Sequence, residues 1–139
     1  MRNTHAIIYF SVLFFAVAVC PVQAAETTAA KTPRLVCEKN IVDFGTKKTT
    51  ESFKHTFIIY NTGKAVLRVK SLRLSCSGCF EAVIDKREIK PGECAKLETA
   101  VDLKESEGKV RKAVILTTND PKRPIAWFRL TGKAEAVKK

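Results

Sequence analysis

Histidine is nearly missing from this chain of 139 residues: there are two, and beyond the first 24 positions His55 stands alone. A Ser-His-Asp or Cys-His nucleophilic arrangement would have no other imidazole to serve as base. The phosphate loop, the dinucleotide fingerprint and His-Glu-x-x-His are also absent, so the motifs of nucleotide-driven and zinc-hydrolase chemistry are not present. Ser106 is a poor nucleophile, since it sits in the polar turn Lys104–Gly108 between Glu105 and Glu107. Past Cys20 no run is apolar enough to span a membrane, and the mature chain is not expected to insert stably in one. No internal repeat or low-complexity tract appears. Carboxylates are few: 14 Asp and Glu face 25 Lys and Arg, for a net charge of +11. Such an excess steers a protein toward anionic partners.

The chain opens with Arg2, the apolar run Ala6–Cys20 and then Pro21-Val22-Gln23-Ala24-Ala25. This order of charged, apolar and small residues is that of a secretory signal peptide. Cleavage is expected after Ala24, with Val22 and Ala24 in the small positions, giving a periplasmic or secreted protein. Two other readings compete. An uncleaved anchor would need about 20 apolar residues, and acylation on Cys20 would follow a smaller residue than Val19. Residues 25–33 are small and polar and read as a flexible linker, leaving 34–136 as one domain. Export makes nucleic acid an improbable partner and favours a protein or an anionic component of the envelope.

Turn signals recur along the domain: Gly45, Asn61-Thr62-Gly63, Ser77-Gly78, Pro91-Gly92, Gly108, Asn119-Asp120-Pro121 and Gly132. Between them lie β-branched and aromatic runs of period two, the pattern of a sandwich. In Ala95–Leu103 the residues Ala95, Leu97, Thr99, Val101 and Leu103 share one face, and Lys96, Glu98 and Asp102 the other. Phe53, His55, Phe57 and Ile59 share a face, as do Val114 with Leu116 and Ala126 with Phe128 and Leu130. In Ala65–Ser75 the parity changes, which predicts a β-bulge near Ser71 with Arg68, Lys70 and Arg73 outside. Seven antiparallel strands are expected, with Arg34–Phe44 the first and Cys79–Ile84 a short fourth.

Several pieces in order carry a family resemblance. They are Val42-Asp43-Phe44-Gly45, His55-Thr56-Phe57, Asn61-Thr62-Gly63-Lys64 with Leu67, Ser75-Cys76, Pro91-Gly92-Glu93, Thr118-Asn119-Asp120-Pro121 and Leu130-Thr131-Gly132. From about Arg34 to Ala136 the chain resembles the bacterial domain of unknown function 1573 family (DUF1573), itself similar to Hydin-type (ASH) Ig-like domains. The resemblance implies a seven-stranded Ig-like β-sandwich, usually exported, with no established activity. It also marks a departure: the family often has Cys-Gly-Cys where this chain has Cys76-Ser77-Gly78-Cys79.

With Cys20 lost in the leader, Cys37, Cys76, Cys79 and Cys94 remain, an even number for an oxidising compartment. Seven alternating strands put Cys37 and Cys94 at one end of the sandwich and Cys76 and Cys79 at the other, which predicts bonds Cys37–Cys94 and Cys76–Cys79. The alternative is a thiol-disulfide or soft-metal-binding protein acting through Cys76 and Cys79. Against it, Phe80, Ala82 and Ile84 alternate as a strand, so no helix N-terminus lowers a thiol pKa. A zinc site would need His55 and the distant Cys37 or Cys94 to complete it. No cofactor is expected.

In the last strand the inward parity of Ala126, Phe128 and Leu130 leaves Ile125, Trp127 and Arg129 outside. Trp127 beside Arg129 is a candidate anchor for a partner; the plainer reading has Trp127 packing under the N-terminal segment or closing an end of the core. Separately, Arg68, Lys70 and Arg73 would form an anion-binding patch with Arg111 and Lys112 if third and sixth strands are neighbours, as in Ig-like sheets. The function read from the sequence is a non-catalytic binding or scaffold module of the envelope.

Overall fold

Alternating apolar and polar side chains bury one face of each strand, and the computed structural model stacks those faces in two sheets. It describes residues 31–137 except Ser77, Cys79 and Glu105. The expected signal peptide, residues 1–24, lies outside the described residues, as does most of the linker.

Among the described residues there is no helix and nine strands: β1 (Leu35–Val36), β2 (Ile41–Lys48), β3 (Ser52–Asn61), β4 (Leu67–Leu74), β5 (Phe80–Ile84), β6 (Glu88–Ile89), β7 (Cys94–Asp102), β8 (Gly108–Thr118) and β9 (Ile125–Glu135). One sheet has the order β1-β3-β7-β5, the other β2-β9-β8-β4-β6. Phe57, Ile59, Leu97, Val101, Val114, Leu116, Phe128 and Leu130 fill the space between, each 1 % exposed or less. The face assignments from alternation hold in β3, β7, β8 and β9. The bulge also holds, as a register shift between Val69 and Ser71.

Two expectations are corrected. The strand count is nine rather than seven, because the first expected strand divides and a two-residue β6 pairs with β4. The sheets are also not wholly antiparallel. After β1 pairs with β3, residues 37–40 carry the chain across to the other sheet without reversing it, so β2 lies parallel to β9.

The residues behind the family resemblance are consumed by this architecture. Asn61 is 1 % exposed; its Oδ1 accepts from Arg34 N–H (3.2 Å) and Gly63 N–H (3.0 Å), and its Nδ2 donates to the carbonyls of Ala65 and Ile89, both at 2.8 Å. Asp120, 2 % exposed, accepts from Leu35 N–H and Lys122 N–H at 2.8 Å each. A buried carboxylate or amide left unpaired would cost more than these bonds return, so their satisfaction fixes the first strand firmly. Thr32 and Pro33, placed in the linker by composition, dock on Gly63, where a Cβ would collide with their backbone. A Cβ on Gly132 would likewise strike the Phe44 ring.

Candidate functional site

On the outer face of the five-stranded sheet the register sets Trp127 opposite Ile115, and Ile115 opposite Arg73. One rung further along, Ile41 lies beside Arg129 across the parallel β2–β9 pair. Directly opposed side chains stand about 5 Å apart, so these residues form a contiguous surface. Trp127 is 46 % exposed and Ile41 and Ile125 are each 52 % exposed. The Arg129 guanidinium lies 5.8 Å from the centroid of the Trp127 ring, a cation–π arrangement that stiffens both side chains. A cleft of about 290 Å³ runs alongside, lined by Asn40, Ile41, Arg123, Ile125, Trp127 and Arg129 among others. Asn40 closes it by donating from Nδ2 to the Trp127 carbonyl (3.4 Å), while its own carbonyl accepts from Arg129 N–H (2.7 Å).

The structure therefore brings Trp127, Arg129 and Arg73 together, with Arg111 on the adjoining stretch of the same face, opposite Thr131. Trp127 neither closes an end of the core nor is covered by the described part of the N-terminal segment. Arg68 and Lys70 are exposed on β4, toward the sheet edge. Arg68 is engaged by Glu88 at 3.0 Å. Among the described residues Arg73, Arg111, Arg129 and Lys70 make no ion pair, although Asp43 shares a cleft with Arg111. Ile115 and Ile41 escaped the reading of the sequence; the outward parity of β8 signals Ile115, because Val114 and Leu116 point in.

The cysteines divide as the strand directions require, but one expected bond is corrected. Cys37 and Cys94 are free. Both sit at the same end, yet β3 lies between β1 and β7, which places their strands about 10 Å apart. A disulfide needs Cα atoms within roughly 7 Å. They also face opposite ways: Cys37 packs against the core, whereas Cys94 shares the outward parity of Lys96 and Glu98. Burial pushes the Cys37 thiol pKa up, opposed in part by hydrogen bonding with the Lys39 backbone; the thiol also donates to the Lys39 carbonyl at 3.2 Å. Cys76 is disulfide-bonded; Cys79, the partner expected from the sequence, lies outside the described residues. Cys76 follows β4, whose length from the Asn61 end is roughly 23 Å at about 3.3 Å per residue, so Cys37 and Cys94 are at the wrong end to share a metal with it. The strand β5 begins at Phe80, and among the described residues there is no helix.

His55 is half-buried on the inner face of β3, edge-on to Phe57 (4.6 Å between ring centroids) and stacked toward Phe53 (6.3 Å). Burial lowers its pKa. Ser106 donates its N–H to the Leu103 carbonyl within its turn.

A two-layer all-β domain whose first strand changes sheets is an Ig-like sandwich of the PapD and ASH kind, and solved structures agree. The ASH / PapD-like domain 7 of human CEP192 superposes with a TM-score of 0.56 at 11 % identity, covering 77 % of this chain and 89 % of that one. The chain belongs to the family described as Protein of unknown function (DUF1573), matched over residues 35–134. A protein of unknown function from Porphyromonas gingivalis W83 is 28 % identical with a TM-score of 0.67, over 76 % of this chain and 49 % of that one. The VesB protease of Vibrio cholerae gives 0.61 at 15 % identity over 73 % of this chain. This chain thus spans about half the length of the Porphyromonas protein and 32 % of VesB. No curated protein matches it.

Proposed function

We propose that this protein is an exported, non-catalytic binding module of the bacterial envelope, which holds a protein partner on the outer face of its five-stranded sheet. The observation that carries this reading is the cluster around Trp127: an exposed indole, three exposed or half-exposed isoleucines and arginines that make no ion pair among the described residues, on a domain with a well-filled core. Aromatic and arginine side chains in such company are the usual energetic centre of an interface. Arg2, the apolar run and Ala24 support export, with the mature chain beginning at Ala25. A thiol-disulfide or soft-metal role at Cys76 and Cys79 has less support, since a strand rather than a helix follows them.

The test is capture from envelope extract by the purified processed protein and by Trp127→Ala. The wild type is expected to retain a partner at high salt, where screening removes charge steering. Trp127→Ala should weaken that retention about 30-fold or more, the effect of losing a hot spot, with unchanged circular dichroism. Equal retention by both proteins overturns the assignment of this face.

A further inference from the structure

The second sheet carries an unfinished edge. β3 has ten residues, and β7 pairs with it in unbroken register from Ser52↔Asp102 to Tyr60↔Cys94. On its other side β1 pairs only with Asn61 and Tyr60 before the chain leaves for the opposite sheet. The direction of the backbone groups follows from two bonds. Asn61 N–H donates to the Glu93 carbonyl on the β7 side (3.0 Å), and Thr62 N–H donates to the Arg34 carbonyl on the β1 side (3.0 Å). Antiparallel pairing alternates, so odd-numbered residues of β3 bond to β7, and Lys54, Thr56 and Ile58 direct N–H and C=O outward. Among the described residues, no group meets them.

Sheet edges are normally protected by bulges, charge or brevity. β2 has its register shift between Asp43 and Thr46, with Gly45 at φ 68°, and β6 is two residues long. The open stretch of β3 has no register shift and has Lys54 as its one charge. Its inner side is a row of incompletely covered rings: Phe44 lies 5.0 Å from Phe53, which stacks toward His55. All three are half-buried, whereas Phe57 behind them is 1 % exposed. A cleft of about 140 Å³ lies between Cys37, Glu38 and Lys39 of the crossover and His55 to Ile58 of this edge.

We propose that the open edge of β3 from Lys54 to Ile58 takes in an extended segment of a partner polypeptide as an added strand, prolonging the line of β1. Its backbone supplies the missing bonds to Lys54, Thr56 and Ile58. Its inward side chains, opposite Phe53, His55 and Phe57, are apolar and cover the rings; its outward ones, opposite Lys54, Thr56 and Ile58, are polar, an acidic one suiting Lys54. This is strand addition, in which main-chain bonds give affinity and alternate side chains give selection. It does not rest on the Trp127 face, which belongs to the other sheet.

The probe is a short synthetic peptide alternating valine with threonine and glutamate, added to the full processed protein and followed by amide NMR and hydrogen exchange. Expected are shifts and new protection at Lys54, Thr56 and Ile58, with the face around Trp127 undisturbed. Two N-methylated peptides decide the geometry. Methylating the threonine and glutamate nitrogens, which point at β3, should weaken binding by about tenfold or more, whereas methylating the valine nitrogens, which point away, should leave it unchanged. Thr56→Pro removes one outward N–H without touching the β7 ladder, and should keep the fold while losing the peptide. The proposal is overturned if both methylated peptides bind alike, if no shift appears up to about millimolar peptide, or if the shifts centre on Trp127. It is also overturned if the three amides are already protected in the free protein, by its own N-terminal residues or, with a concentration dependence, by a second copy.

Discussion

On the outer face of the four-stranded sheet Lys54 and Lys96 share the surface with Glu81, Glu98 and Asp102, charges of both signs interspersed with Thr56, Ala100 and the exposed Val83 and Tyr60. On the outer face of the five-stranded sheet Arg129 lies over Trp127 and Arg73 lies beyond Ile115, with Arg111 further along opposite Thr131, and among the described residues none of the three makes an ion pair. Both faces belong to strands of similar pattern with the same core beneath, so the fold does not demand the difference. A mixed-charge face is what solubility requires. A tryptophan, isoleucines and unpaired guanidinium groups serve solubility poorly and contact well, which is why binding is proposed for the second face.

The sharpest way to break this comparison is within one strand. Phe128 and Trp127 are neighbours on β9, but Phe128 is buried against Phe57 with ring centroids 5.3 Å apart. Phe128→Ala is expected to lower unfolding free energy by about 3–5 kcal/mol, and Ile125→Ala by less than about 1 kcal/mol, both read by urea denaturation. A large loss at Ile125 would mean that the outer face is structural. Charge gives a smaller effect: Arg73→Gln should slow association with a captured partner several-fold at low salt and less at high salt. Arg68→Gln, whose parent residue is already engaged by Glu88, and Lys96→Gln on the other sheet should change it little. Surface plasmon resonance at two ionic strengths reads all three.

The smallest effect concerns the ring row of β3. Burial holds the His55 pKa below its ordinary value of about 6.5. Its neutral form is favoured on folding, so no stability is lost to it above that pH, and stability erodes as pH falls below it, because the unfolded chain takes up the proton first. A modest drop in the urea midpoint on acidification, diminished in His55→Phe, is expected.

Much of this architecture is legible in alternation, because burial of one sheet face is a local demand repeated every second residue. The inward sets of β3, β7, β8 and β9, the bulge in β4 and the outward turn of Trp127 were readable for that reason. The division of Arg34–Phe44 was not, although the polar run Glu38-Lys39-Asn40 is a signal in retrospect. Its cause is remote: Asn61 and Asp120 grip Arg34 and Leu35 from 27 and 85 residues away. The expected Cys37–Cys94 disulfide rested on strand direction alone, and direction does not show that β3 lies between β1 and β7. Within the candidate site, Trp127, Arg129 and Arg73 came from parity alone. The loss of Arg68 to Glu88 depended on a two-residue strand too short to leave a periodic trace.

The grip of Asp120 on Leu35, together with the pairing of β2 along β9, has a consequence for how the molecule is born. A polypeptide emerges beginning-first, from a ribosome or through a translocation pore, and although β1 meets β3 early, β2 finds its strand partner only in the closing β9. Until β9 has come through, β2 has no strand to lie against and the Leu35 amide has no carboxylate to receive it. Assembly must therefore wait for nearly the whole chain, and a nascent product cut short before Asp120 would be left with loose ends for proteases to take.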